Sequence, residues 1–268
     1  MSPVDLHTVT GFRRARTRAD LALAPGERIL GGGTWLFSEP QPDVTGLVDL
    51  TTMGWEPLTV RDDGGLDIAA TATIAELARF GETTGRPLLA QCAHALLASF
   101  KIWHTATVGG NVCRSYAAAG MVALCVALDG VALVWTPDGG GYRIPVADLV
   151  TGNGTNALQP DEVLRALELP GPALRARTGF RKIALADLGR SGAVLTGRVD
   201  DDGSCVFGIT AATAAPTVLR YPAPPGPDRL RADAAALPGY YTDPLGSADW
   251  RRQVSGVLLA EIHEEVAG

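Results

Sequence analysis

The chain has 268 residues, 46% of them hydrophobic and 19% charged, with a formal net charge of −6; such a composition belongs to a globular protein with a sizeable core, as one large domain or two modest ones. No apolar run approaches the roughly 20 residues of a membrane helix, Met1 to Asp20 lacks the basic start and apolar block of a secretory signal, and the arginines form no basic stripe. These features predict a soluble, cytoplasmic protein that binds neither membrane nor nucleic acid.

The first segment runs to about Leu50. Arg28-Ile29-Leu30 reads as a short strand ending in Gly31-Gly32-Gly33-Thr34, and Gly46 to Leu50 as a second strand after a loop containing Pro40 and Pro42. In the second segment, about Thr51 to Pro170, Gly65 to Ala70 alternates as a strand. Thr73 with Glu76 three residues on forms a capping box that opens a helix. Leu88 to Phe100 reads as a buried helix, Thr105 to Asn111 as a polar glycine turn, Ala118 to Leu128 as an apolar helix, and Val131–Trp135 and Tyr142–Val146 as strands around a turn.

Beyond Pro170-Gly171-Pro172, Phe180–Leu185, Gly192–Val199 and Cys205–Ala212 are expected strands, with Asp200-Asp201-Asp202-Gly203 turning a hairpin. Pro222 to Pro227 reads as a linker or extended edge, and a final helix is expected from about Ser247 to Val266. Cys92, Cys113, Cys125 and Cys205 never stand at C-x-x-C spacing, so no metal site is expected, and Cys125 reads as a buried small apolar residue. His7, His94 and His263 show no sequence pattern for triad or metal chemistry, His104 stays open between a hydrogen-bonding loop residue and a catalytic one, and no catalytic residue is assigned.

Two glycine clusters carry the chemical signal. Leu30-Gly31-Gly32-Gly33-Thr34-Trp35-Leu36 follows a strand, where bare backbone can present several N–H groups to phosphate oxygens. Thr107-Val108-Gly109-Gly110-Asn111 is a second such turn, and together the two can grip a pyrophosphate from both sides. Neither is a G-x-G-x-x-G turn leading into a helix, so a Rossmann fold is not supported.

The order of these pieces resembles the FAD-binding subunits and domains of the xanthine dehydrogenase and carbon monoxide dehydrogenase type, the medium subunits of the molybdenum hydroxylases. Leu30–Leu36 resembles the family's L-A-G-G-T/Q-x-L loop, Thr107–Asn111 its T-x-G-G-N loop, and Ala127-Leu128-Asp129-Gly130 its A-L-D-A/G helix end. Gln159–Leu164, Phe180-Arg181-Lys182, Ala215–Arg220 and Gly246–Arg252 resemble four further segments in the same order. The resemblance covers nearly the whole chain.

It implies an α+β protein: a vanillyl-alcohol-oxidase-like (PCMH-type) FAD-binding domain over residues 1–172, with subdomains of about 1–52 and 53–172. A small C-terminal domain over 173–268 would hold a three-stranded sheet with helices. It also implies that Leu30, Gly31, Gly32, Gly33, Thr34 and Trp35 wrap the FAD pyrophosphate from one side, that Thr107, Gly109, Gly110 and Asn111 close it from the other, and that Leu164 and Lys182 lie near the flavin. The implied partners are an iron–sulfur small subunit and a molybdopterin large subunit, in a heterotrimer or its dimer, with electrons passing from [2Fe–2S] clusters through FAD to an acceptor.

The sequence departs from the family pattern at three places. An Asp that many relatives carry nine residues after the T-x-G-G-N asparagine is Gly120 here, the common I-R-N reads Ile102-Trp103-His104, and the basic pair after the lysine reads Ala184-Leu185. Two other functions therefore stay open on the sequence: a stand-alone FAD enzyme acting on a small molecule, and a scaffold subunit that has lost FAD.

Overall fold

The structure is a computed structural model in which residues 6–267 are described. The chain opens with three short strands, β1 (Gly11–Arg14), β2 (Glu27–Leu30) and β3 (Gly46–Asp49), in a parallel sheet with β3 in the middle. Gly46-Leu47-Val48 takes the central place because it has no polar side chain to expose on either face, and Val48 is wholly buried.

A second, antiparallel sheet follows. Strands β4 (Leu58–Val60) and β5 (Leu66–Ala69) lead into helices α1 (Ile74–Thr83), α2 (Pro87–His94), α3 (Phe100–Trp103), α4 (Val108–Arg114) and α5 (Gly120–Ala127). The chain then returns as β6 (Val131–Trp135), β7 (Gly141–Pro145), helix α6 (Val146–Leu149), a ribbon of β8 (Val150–Gly152) with β9 (Thr155–Asn156), and β10 (Val163–Leu169). The sheet order is β4-β5-β10-β6-β7. Every residue of α5 is buried, as its apolar sequence on all sides requires.

Helix α7 (Gly171–Arg175) leads to β11 (Arg177–Ala184), β12 (Ser191–Val199), β13 (Cys205–Thr210) and β14 (Thr217–Tyr221), followed by α8 (Pro227–Ala236) and α9 (Ala248–Ala267). All nine residues of β12 are buried because both faces are covered: Val194 joins the core that contains α5, while Ala193 and Leu195 pack with Leu259 and Ile262 of α9. The close approach of α9 explains Gly197, whose added Cβ would stand 2.4 Å from Ile262.

The two larger sheets are joined by charge as well as by apolar contact. Arg198 of β12, its side chain 5% exposed, donates to the Ala127 carbonyl at the end of α5 and to Asp129 at 2.5 Å, and pairs with Asp200 at 2.9 Å. Arg220 of β14 holds the other oxygen of Asp129 at 2.5 Å. The buried end of α5 thereby acquires a cationic partner for its last carbonyls.

Four local expectations are corrected. The C-terminal sheet has four strands, not three: Thr217–Tyr221 pairs along β13, and Pro216 precedes the strand, so no ladder donor is lost. Pro227 opens α8 rather than closing a linker, its missing N–H being no loss in a first helical turn. The helix expected over Leu88–Phe100 is interrupted between His94 and Phe100. The second glycine cluster is the start of α4, with Thr107 as its N-cap, because the Thr107 hydroxyl accepts from the Gly110 N–H at 3.0 Å and offsets the low helix propensity of two glycines.

Candidate functional site

The two glycine clusters, more than 70 positions apart in the sequence, face each other. An added Cβ on Gly31 would lie 2.9 Å from Thr107 Oγ1, and one on Gly32 would lie 1.7 Å from the Thr105 carbonyl oxygen. Only bare backbone lets the segments approach this closely. The contact lies where the carboxyl ends of parallel strands β2 and β3 meet the starts of α1 and α4, a placement that ligands favour in α/β sheets.

A crevice of about 420 Å³ opens there. Its wall includes Gly31 and Gly32 on one side, His104, Thr105 and Thr107 on the other, and Asp49, Trp55 and Glu76 along the rim. Both carboxylates are fixed by local capping bonds. Asp49 Oδ1 accepts from the Thr51 N–H and hydroxyl at 2.9 and 2.6 Å, and Glu76 Oε2 from the Thr73 N–H and hydroxyl at 2.8 Å each. Each keeps one oxygen without such a bond. Trp55 is braced from behind by Trp135, edge-on at 5.5 Å, and by the Arg165 guanidinium 4.2 Å from its ring centre.

The clusters differ in what they offer. From Gly31 to Leu36, no backbone N–H has an acceptor among the described residues, while Gly33 adopts φ +69° and the Phe37 N–H closes back on the Gly33 carbonyl at 2.9 Å. Of these six free donors those of Gly31 and Gly32 belong to the crevice wall, and bare backbone with unused N–H groups is what receives an anion. In the second cluster, by contrast, the N–H groups of Val108 and Gly109 donate to the Ala72 and Ala70 carbonyls, that of Gly110 to Thr107 Oγ1, and that of Asn111 to the Thr107 carbonyl. Of its backbone donors only that of Thr107, a residue of the crevice wall, has no acceptor among the described residues. Gly109 is bare because its Cβ would stand 2.5 Å from Ala70, so this glycine serves packing against the segment after β5.

Asn111 likewise turns its side-chain oxygen inward, accepting from the Met121 N–H at 3.0 Å and tying α4 to the start of α5. Trp35 leaves the glycine row and lies against Arg114 in the last turn of α4, the guanidinium carbon 3.8 Å from the ring centre; Arg114 also stands over Tyr116 at 4.2 Å and donates to its hydroxyl at 2.7 Å. Leu164 and Lys182 do not line the crevice. Leu164 is buried in the main core, and Lys182 lies on β11, one pleat beyond Phe180, which packs against that core.

The sequence departures resolve physically. Gly120 sits with its backbone against α2, where an added Cβ would come within 2.2 Å of the Cys92 carbonyl oxygen, so no aspartate fits at this position without displacing the helix. Trp103 stacks on His94 with ring centres 4.7 Å apart, and His104 is left in the crevice wall. Asp49, Trp55 and Thr105 escaped sequence reading as site residues. Asp49 carried a usable signal, a carboxylate at the end of the strand beside the glycine turn, whereas Trp55 carried none.

A row of unused backbone donors facing a bare-backbone wall fits the diphosphate of a dinucleotide, with carboxylate oxygens on the rim suited to its hydroxyl groups. The family comparison agrees. Residues 5–172 match the family described as the FAD binding domain in molybdopterin dehydrogenase, and the chain belongs to that family; its cofactor is FAD. It is thus an FAD-binding member of the molybdopterin dehydrogenase family of oxidoreductases.

Among curated proteins it is similar to the putative xanthine dehydrogenase FAD-binding subunit XdhB of Escherichia coli (strain K12), 28% identical over 222 residues that span 78% of this chain and 75% of that one. It is also similar to the aldehyde oxidoreductase FAD-binding subunit PaoB of the same organism, 27% identical over 229 residues covering 64% and 71%. Among solved structures the fold matches a chain of reconstituted CO dehydrogenase from Oligotropha carboxidovorans with a TM-score of 0.84, 22% identity and 97% of both chains covered. A chain of quinoline 2-oxidoreductase from Pseudomonas putida 86 matches with a TM-score of 0.81, 18% identity and 96% coverage of both.

No helix among the described residues is long and apolar enough to cross a membrane, and no group of three or more His, Cys, Asp or Glu among them could hold a metal ion.

Proposed function

We propose that this chain is the electron-transferring FAD subunit of a multi-subunit molybdenum hydroxylase, working in the cytoplasm. It would take electrons from the [2Fe–2S] clusters of a small subunit, whose large partner holds molybdopterin, and deliver them to an acceptor. The observation that carries this reading is the run of six unused N–H groups from Gly31 to Leu36, whose first two residues, Gly31 and Gly32, share one crevice with Thr105 and Thr107.

FAD, when bound, supplies the chemistry: it accepts electrons singly and releases them as a pair. The chain's own residues bind and orient it. The Gly31–Leu36 donors would hold the diphosphate, Gly32 and Thr105 would set the width of the slot, and the unused oxygens of Asp49 and Glu76 would accept from hydroxyl groups. Gly109, Gly110 and Asn111 of the second cluster would shape the opposite wall rather than donate from backbone, and Thr107 would line that wall with its N–H free. Leu164 and Lys182 remain our assignment for the flavin end, where an ammonium would favour negative charge on the reduced ring. The FAD-binding domain would extend to residue 172, with a division near residue 52, and the C-terminal domain would occupy 173–268.

Expression with the chains encoded beside it, affinity capture, and flavin, iron and molybdenum analysis of the captured complex test the proposal. Bound FAD at one per chain, with iron and molybdenum in the same complex, is the expected result. A chain that carries FAD and turns over a small molecule without partners would refute the subunit role.

A further inference from the structure

The slot depends on two segments far apart in sequence staying in register, and one side-chain contact spans them outside the slot itself. Trp35 belongs to the donor row, and Arg114 to the end of the helix that the second glycine cluster begins. The guanidinium carbon stands 3.8 Å from the centre of the Trp35 ring and 4.2 Å from that of Tyr116, so Arg114 is held between two aromatic faces. Its terminal nitrogen is oriented further by the 2.7 Å bond to the Tyr116 hydroxyl.

Hydrogen bonding does not join Arg114 to Trp35. The indole Nε1 and the Arg114 Nε are both sealed from solvent with no acceptor, and an unmet buried donor costs stability rather than supplying it. What joins the two segments is the attraction of a planar cation for an aromatic face, strengthened where water is excluded. Trp35 also contributes the fifth N–H of the donor row, so holding its ring limits how far that part of the backbone can move from α4.

We infer that Arg114 and Trp35 form a cation–π clamp that sets the pose of the Gly31–Leu36 donor row, making both of them positioning residues for FAD. The inference rests on the assignment of the donor row to the FAD diphosphate. Arg114 touches no wall of the crevice and acts only through Trp35. Neither Trp35 nor Arg114 lines the crevice, so the clamp acts on it from outside, through the two segments that carry these residues.

FAD titration of the deflavinated full-length chain, followed by flavin fluorescence quenching, tests the clamp on three variants. Arg114→Met removes the charge but keeps the stem, and Trp35→Leu keeps apolar bulk but removes the ring face; each should weaken FAD binding about tenfold. Trp35→Phe keeps a ring face and removes one unmet donor, so its dissociation constant should stay within about twofold of the parent. Wild-type affinity in Arg114→Met alongside a lowered melting temperature would show a structural role alone and overturn the clamp. Equal losses in Trp35→Phe and Trp35→Leu would overturn it too, and that pair remains decisive if Arg114→Met does not fold. Amide exchange separates this failure from failure of the site assignment: FAD should protect the amides of residues 31–36 in the parent protein, and absence of that protection refutes the diphosphate assignment itself.

Discussion

Gly32→Ala probes the slot with a single methyl group. The added carbon would lie 1.7 Å from the Thr105 carbonyl oxygen and 3.2 Å from Ala106 Cα, both backbone neighbours that no rotamer change can move aside. Side-chain carbons do not approach closer than 3.0 Å, so the Gly31–Leu36 row and the Thr105–Thr107 segment must part by roughly 1.3 Å. A hydrogen bond to a charged oxygen contributes about 1.5–3 kcal/mol, and displacement by that distance takes at least one donor out of reach. FAD affinity is expected to fall by about 2 kcal/mol, or roughly 30-fold. Overpacking adds about 1–3 kcal/mol of lost folding stability. Gly226→Ala serves as control, because its φ is −63° and its Cβ meets nothing within 4 Å. Isothermal titration with FAD, run beside thermal melts of the FAD-free proteins, separates the two effects. Unchanged FAD affinity in Gly32→Ala would refute the convergence of the two segments on the diphosphate.

Three further outcomes follow from the geometry. Gly120→Asp, which restores the residue many relatives carry, should lower both FAD content and melting temperature, because the Cβ meets the Cys92 carbonyl oxygen at 2.2 Å; a gain in flavin content on purification would contradict this. Arg198→Met should cost about 3 kcal/mol in urea unfolding, since Asp200 loses its ion pair and Asp129 keeps only Arg220. Burial raises the Asp129 carboxyl, but hydrogen bonds from Arg220 and Arg198 overcome it and leave the net value below the ordinary carboxylate range. Such a depressed carboxyl lends its stability above its unfolded value, near pH 3.9, and loses it as the pH falls through the folded value, so Arg198→Met should flatten this acid loss. Cys92 and Cys125 should resist a thiol reagent at pH 8 until the protein unfolds, because burial raises both thiols, Cys125 to about 12; labelling of either in the native state counts against the packing around α5.

The elements legible in the sequence were those whose signals are local. The Thr73–Glu76 capping box stands where the spacing puts it, with all three of its bonds made. Strand Val131–Trp135 keeps its alternation because one of its faces meets the core and the other is half-exposed. Cys125 is buried in α5 as its apolar neighbours require. Helix α4 was hidden because two glycines in its first turn lower helix propensity, and what restores the helix is a Thr107 cap together with bonds to Ala70 and Ala72, residues in another segment of the chain. Strand β14 was hidden for the converse reason: five residues with a Pro before them and a Pro-rich run after them carry little strand signal until β13 supplies a partner.

The glycines themselves were legible as a site, but their division of labour was not. Sequence symmetry suggests two matching anion nests, whereas the hydrogen bonds make one a donor row and the other a wall. That asymmetry has an energetic logic. Eleven donors, six from Gly31–Leu36 and five from Thr107–Asn111, converging on one diphosphate would leave eleven unmet N–H groups whenever FAD was absent, and each buried one costs about 1–3 kcal/mol. Committing the Val108–Asn111 N–H groups to the chain's own carbonyls and to Thr107 Oγ1 holds the wall rigid in the FAD-free protein, so only the Gly31–Leu36 row and the Thr107 N–H await a ligand. Substitutions at the two clusters should therefore separate: those at Gly31 and Gly32 should lower FAD affinity as well as stability, and those at Gly109, packed against Ala70, should act mainly on the fold.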